Sequence, residues 1–90
     1  MLYMVIERFH PGRAVDIYRR FRDKGRMAPE SVRYVSSWVD LEYQRCFQVM
    51  EADREEDLGQ WMSQWEDLVD FEVVQVRTSA EAAAAIAPQL

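Results

Sequence analysis

The stretch DREEDLGQWMSQWEDLV, residues 53–69, carries the clearest helical pattern in the chain and decides the fold. Its apolar residues recur at helical spacing and share one face: Leu58, Trp61, Met62, Trp65, Leu68 and Val69. Asp53, followed three residues later by Glu56, is typical of a capping box at a helix start. Because two tryptophans lie on the apolar face, we expect this helix to pack against a sheet and form much of the core.

The residues before this helix predict a strand, a helix and a hairpin. Residues 2–9 are apolar on both strand faces, which is typical of a central strand. Residues 13–24 change to helical periodicity, and Gly25 is suited to the left-handed position that ends a helix. Residues 31–39 and 44–51 return to strand chemistry, and the short connection between them predicts a hairpin.

The residues after the helix complete a two-layer arrangement. Residues 71–77 predict a fourth strand, and Thr78 with Glu81 predicts a capping box that opens a short alanine-rich helix ended by Pro88. The order strand, helix, strand, strand, helix, strand predicts an α+β fold of the ferredoxin-like βαββαβ type. Its sheet would have four antiparallel strands, with both main helices on one face. We expect residues 1–90 to form a single domain.

The hairpin residues also predict how the chain associates. Pairing of Val39 near Gln44 would place one set of side chains on a common face: Tyr34, Ser36, Trp38, Phe47 and Val49. The opposite face would carry Val35, Ser37, Cys46, Gln48 and Met50. Whichever face lies under the helices, the other remains apolar, and a monomer seldom exposes so much apolar surface. We therefore expect a homodimer that pairs through the sheet face, as in a dimeric α+β barrel.

Composition and motifs exclude several classes of protein. Sixteen acidic residues against eleven basic ones give a net charge of −5, which argues against nucleic-acid and anionic-membrane partners. The N-terminus lacks the features of a signal peptide, and no apolar run is long enough to cross a bilayer. The single cysteine, Cys46, permits no internal disulfide, so a cytoplasmic location is expected. No cofactor or metal motif is present, so neither ligand is predicted.

Three side chains are candidates for proton transfer, each with a simpler alternative. His10 lies in a loop beside a helix start, where it is either a general base or only a polar loop residue. Glu7 and Glu51 are placed on neighbouring central strands. A carboxylate there is either a buried acid with a raised pKa or the partner of a nearby arginine, and we favour the ion pair.

The aromatic residues predict a ligand pocket. Five of them, with Tyr3, would line a space between the sheet and the helices: Trp38, Trp61, Trp65, Tyr18 and Tyr34. The alternative is that these rings simply fill the core, as aromatic residues at helical spacing usually do. If the pocket exists, its ligand would be a small apolar or aromatic molecule.

The sequence resembles a bacterial family of small stand-alone proteins that is described only as a domain of unknown function. The resemblance rests on MLYMVIERF, RFRDKGRMAPE, YVSSWVD, CFQVMEAD, QWEDLVDFEVVQV and TSAEAAAAIAP, and therefore covers nearly the whole chain. It implies the dimeric α+β-barrel type of the ferredoxin-like fold and supplies no catalytic residues. The architecture is more distantly similar to stress-responsive barrel proteins and to cofactor-independent monooxygenases.

Three functional hypotheses follow from these observations. The first is a homodimeric small-molecule-binding protein with an aromatic pocket between sheet and helices. The second is a cofactor-independent enzyme of the oxygenase or isomerase kind, in which His10, Glu7 or Glu51 moves a proton. The third is a regulatory or structural dimer with a filled core and no ligand.

Overall fold

The computed structural model describes residues 1–90 and contains one four-stranded antiparallel sheet in the order β2-β3-β1-β4. The elements are β1 (Leu2–Phe9), α1 (Ala14–Lys24), β2 (Val32–Val39), β3 (Arg45–Ala52), α2 (Glu56–Met62), β4 (Val69–Val76) and α3 (Ser79–Ile86). A turn of 3₁₀ helix, Ala87–Gln89, follows α3. The predicted ferredoxin-like α+β fold is confirmed. None of the helices has the length and apolarity that crossing a bilayer requires.

Helix α2 is shorter than the sequence pattern predicts. It begins at Glu56 rather than Asp53, no side chain caps its start, and it ends at Met62. Near this end the Ser63 hydroxyl donates to the Gln60 carbonyl over 2.9 Å, a local bond that competes with helical geometry. The chain continues in tight turns, so Trp65 and Leu68 remain buried although they lie outside the helix. Strand β4 then begins two residues earlier than predicted.

The core lies between the sheet and helices α1 and α2. Strand residues that point to this side include Tyr3, Val5 and Met50, all essentially inaccessible to solvent. They pack with Ile17 of α1 and with a group from α2 and the turns that follow: Leu58, Trp61, Trp65 and Leu68. The apolar face of residues 53–69 therefore forms the centre of the core, as the sequence predicts.

A β-bulge in β2 changes which face its side chains occupy. The pairing with β3 shifts between Tyr34 and Ser36, so that Tyr34 lies opposite Met50 and Ser37 lies opposite Gln48. Tyr34 therefore shares the helix side of the sheet with Ser37, and their hydroxyl oxygens are 2.8 Å apart. The predicted register, which placed Tyr34 beside Trp38, is wrong because the bulge adds one residue to β2.

The other side of the sheet, here called the open face, carries no helix. Its side chains are mostly apolar: Leu2, Met4, Ile6, Trp38, Phe47, Val49, Val74 and Val76. Trp38 is 59% exposed and Val74 is 43% exposed. Helix α3 follows the end of β4, its predicted Thr78–Glu81 capping box is formed, and none of its residues is buried.

Candidate functional site

A cavity of about 160 Å³ lies between the sheet and the two main helices, and we call it the sheet–helix cavity. Its helix side and the following turns contribute Ile17, Tyr18, Phe21, Arg26, Trp61 and Trp65. Its sheet side contributes Phe9, Ser37, Val39, Cys46 and Gln48. The volume is close to that of a cavity that holds one benzene ring, so it suits a ligand of about one aromatic ring.

The cavity exists because α1 covers the sheet incompletely. Ile17 is the one residue of α1 that is buried. Tyr18 and Phe21 line the cavity and are nevertheless each 41% exposed, so the cavity reaches the surface beside α1. The helix ends where Gly25 adopts a φ of +69° and donates its amide to the Phe21 carbonyl. The turn that this glycine permits brings Arg26 to the cavity.

A chain of polar side chains runs from the cavity wall into the core. The Arg26 Nε–H donates to Gln48 Oε1 over 3.0 Å, and Gln48 Nε2–H donates to the Glu7 carboxylate. Glu7 is only 6% exposed, and this burial raises the pKa of its carboxyl, although Gln48, Cys46 and Arg26 partly oppose the shift. Burial beside Glu7 also raises the pKa of the Cys46 thiol to about 12, so Cys46 remains protonated at neutral pH.

Arg26 is held by aromatic rings rather than by a carboxylate. Its guanidinium carbon lies 3.7 Å from the centroid of the Tyr34 ring and 5.2 Å from that of Phe21. The ion pairs of the protein, all within 4.0 Å, involve other residues. The Arg26 carbonyl accepts a hydrogen bond from Trp65 Nε1 over 3.0 Å, which fixes the backbone at this point. Most of the guanidinium donors therefore remain free for a ligand.

Trp61 carries a buried donor that has no partner. The residue is 1% exposed and lines the cavity, and its ring packs edge-on against Phe71 with 5.9 Å between centroids. Its indole Nε1–H is buried without a hydrogen-bond partner. A buried polar group without a partner is unusual in folded proteins, and this one is too enclosed to meet a ligand in the cavity.

The predicted ligand-binding residues are only partly brought together. Tyr18, Trp61 and Trp65 line the cavity, and Tyr34 adjoins it through its contact with Arg26. Trp38 does not line it, because its side chain is on the open face, opposite Phe47 of β3. Trp38 therefore does not belong to the aromatic pocket in which the sequence placed it.

The three candidates for proton transfer lie in separate places. Glu7 is buried beside Gln48 and Cys46, two residues of the cavity wall, and no arginine forms the ion pair that the sequence favoured for it. His10 lies in the loop after β1, with its Nε2 3.0 Å from Asp70 Oδ1. Glu51 accepts from Arg33 Nε over 2.9 Å, and this arginine lowers the pKa of the Glu51 carboxyl. Of the three, only Glu7 is adjacent to the cavity, behind the wall residues Gln48 and Cys46.

Two residues of the site were not identified from the sequence. Arg26 was not singled out as a site residue, and Gln48 was noted only as a strand residue. The available signal was the alternation of β1 and β3, which predicts that Glu7, Gln48 and Cys46 point to the same side of the sheet. A charged and an amide side chain among inward-facing positions indicate a polar site within the core.

The fold and the cavity together define a class of protein: a ferredoxin-like α+β domain with a small, partly polar cavity between sheet and helices. No group of three or more His, Cys, Asp or Glu side chains is placed to hold a metal ion. The family model for the domain of unknown function DUF3303 matches residues 1–90, so the chain belongs to this family. None of the curated proteins matches the sequence.

Proposed function

We propose that the protein is a homodimeric small-molecule-binding protein that holds its ligand in the sheet–helix cavity. The observation that carries this proposal is the cavity itself, where aromatic walls meet the Arg26 guanidinium, whose terminal nitrogens have no carboxylate partner. Binding sites for small molecules combine mostly apolar walls with a few polar groups that orient the ligand. These features favour ligand binding over a core that is simply filled.

The open face supports the dimer. Most of its side chains are apolar; of its ion pairs, Arg33–Glu51 lies towards the strand ends, and Arg8–Glu72 involves the edge strand β4. A second copy of this face would cover the apolar side chains, including the exposed ring of Trp38. The two sheets would then form the inner layers of a barrel, with the helices of each copy outside.

Native mass spectrometry tests both parts of the proposal. We expect a dimer that carries releasable additional mass, and the mass gives the formula of the ligand. Ser37→Met would place a longer side chain in the cavity and should reduce the fraction of protein that carries this mass. A dimer without added mass in repeated preparations would favour the ligand-free regulatory or structural dimer instead.

The interface is tested by Trp38→Glu, which places a charge on the open face, on the edge strand β2. We expect this variant to be monomeric in light scattering, because an unpaired charge would have to be buried in the dimer. Leu41→Glu is the matched control, since Leu41 is 96% exposed in the loop between β2 and β3. Equal dimer populations in both variants would contradict the proposed interface.

A second candidate function is proton transfer on the bound ligand by Glu7. The raised pKa of this carboxyl favours it, because general acids and bases work best when their pKa lies near the operating pH. An enzyme of the isomerase kind would exchange a proton of its ligand with solvent. Ligand recovered from the protein should therefore take up deuterium in D₂O with the wild type and not with Glu7→Gln. Equal uptake with both proteins would exclude Glu7 as the proton carrier.

A further inference from the structure

We infer that the ligand of the sheet–helix cavity is an organic anion of about one ring, whose acidic group binds the Arg26 guanidinium. This inference rests on the proposed function and specifies its ligand class. The argument depends on three properties of the cavity: its size, the balance of free donors and acceptors, and the position of Arg26.

The free polar groups at the cavity are mainly donors. Arg26 uses its Nε–H on Gln48, which leaves the two terminal nitrogens of the guanidinium without a carboxylate partner. The amide and carboxylate acceptors are already engaged: Gln48 Oε1 accepts from Arg26, and Glu7 accepts from Gln48. A ligand that satisfies this set must supply acceptors, and a carboxylate supplies them in the planar geometry that a guanidinium prefers.

The surroundings of Arg26 strengthen its attraction for an anion. The residue is half-buried, and the faces of Tyr34 and Phe21 displace water from the guanidinium. A hydrogen bond to a partly desolvated charge is stronger than one formed in open solvent. Glu7 is separated from Arg26 by Gln48, which bonds to both. Burial raises the pKa of Glu7, which reduces its repulsion of a bound anion.

The remaining walls fit a ring. Ile17, Phe21, Trp61 and Trp65 surround a volume of about 160 Å³, which leaves room for a single ring and a small substituent. A simple sugar or phosphate would leave these aromatic surfaces without apolar contact. The combination of an aromatic wall with one arginine therefore favours an aromatic or enolic acid of one ring.

The test uses three probes of nearly equal shape: benzoate, neutral benzamide and cationic benzylamine. Each is titrated into the wild-type protein while the three indole N–H signals are followed by NMR. We expect benzoate to bind about 10- to 100-fold more tightly than benzamide, the range expected for a hydrogen bond to a charged group. Signals of Trp61 and Trp65 should shift, whereas that of Trp38 on the open face serves as an internal control.

Arg26→Gln should remove the preference for benzoate, and Arg22→Gln should keep it. Arg22 is the matched control because its side chain is 72% exposed and pairs with Asp23 away from the cavity wall. If benzamide or benzylamine binds the wild type as tightly as benzoate, the ligand class is wrong while the binding function stands. If none of the three probes shifts the Trp61 and Trp65 signals, the cavity is not a binding site and both proposals fail.

Discussion

Trp61 and Trp65 allow a direct comparison of two buried indoles that differ in hydrogen bonding. Both belong to the core cluster, at 1% and 5% exposure. Trp65 Nε1 donates to the Arg26 carbonyl over 3.0 Å, whereas Trp61 Nε1 has no partner. Replacing each with phenylalanine removes the same atoms from the core. We predict that Trp65→Phe lowers the free energy of unfolding more than Trp61→Phe does.

The expected difference in the free energy of unfolding depends on the hydrogen-bonding groups that each substitution removes or leaves unpaired. Truncating either ring leaves a similar space and loses similar apolar contact, so these effects largely cancel in the comparison. Trp65→Phe also removes the hydrogen bond to the Arg26 carbonyl, and the loss of such a bond costs about 0.5–1.5 kcal/mol. Trp61→Phe instead removes a donor that had no acceptor, which relieves the penalty of an unpaired buried polar group. The difference between the variants should therefore be at least about 1 kcal/mol.

Urea unfolding followed by far-ultraviolet circular dichroism measures this difference without relying on tryptophan fluorescence. All proteins must be compared at one concentration, because dimerisation would make stability depend on it. Equal slopes against urea would show that the variants differ in stability rather than in compactness. As a reference, Trp61→Ala should cost about 3–5 kcal/mol. If Trp61→Phe proves as destabilising as Trp65→Phe, the indole N–H of Trp61 must have a hydrogen-bond partner in solution, and the reasoning is refuted.

Four further predictions concern single residues. Because the folded state raises the pKa of Glu7, it binds this proton more tightly than the unfolded chain, so stability is lost as the pH rises from 4.5 through the raised folded value. Glu7→Gln removes the titrating group, so the free energy of unfolding of this variant should depend less on pH in this range than that of the wild type. Denaturation at a series of pH values measures both. The Cys46 thiol, with its pKa raised to about 12, should react with iodoacetamide much more slowly in the native protein than in urea, as measured by mass spectrometry. Gly59→Ala should raise the free energy of unfolding by about 0.4–1 kcal/mol, because the residue is helical and its Cβ meets no atom within 4 Å. Gly25→Ala should lower it by about 1 kcal/mol, because the φ of +69° disfavours any side chain; thermal unfolding of the two variants compares these effects.

The sequence predicts the order and type of the elements because each one carries its own hydrophobic period. The boundaries of α2 cannot be predicted from the hydrophobic period. Trp65 and Leu68 continue the helical period although the chain has already left the helix, since tight turns can keep the same residues buried. The bulge beside Tyr34 cannot be predicted from this period either. One extra residue in β2 moves the side chains on one side of it to the opposite face of the sheet, without disturbing the alternation of residue types.

The sequence predicts the residue types of the candidate site better than it predicts their positions. Aromatic residues were expected between sheet and helices, and Trp61, Trp65 and Tyr18 lie there. The role of Arg26 depends on the turn at Gly25 and on pairing between distant strand residues, neither of which leaves a local pattern. Trp38 is indistinguishable by type from the other two tryptophans, and only the sheet register places it on the open face.

The incomplete packing of α1 has a consequence for motion. Because Ile17 is its one buried residue, α1 has less apolar surface to lose on detaching than α2, which buries two side chains in a shorter length. Regions with few buried contacts open locally at a lower free energy than the whole domain unfolds. The backbone amides of α1 should thus exchange with deuterium before those of the central strands. Since α1 also forms one wall of the cavity, the rate at which this helix detaches and returns would set how long a bound molecule stays.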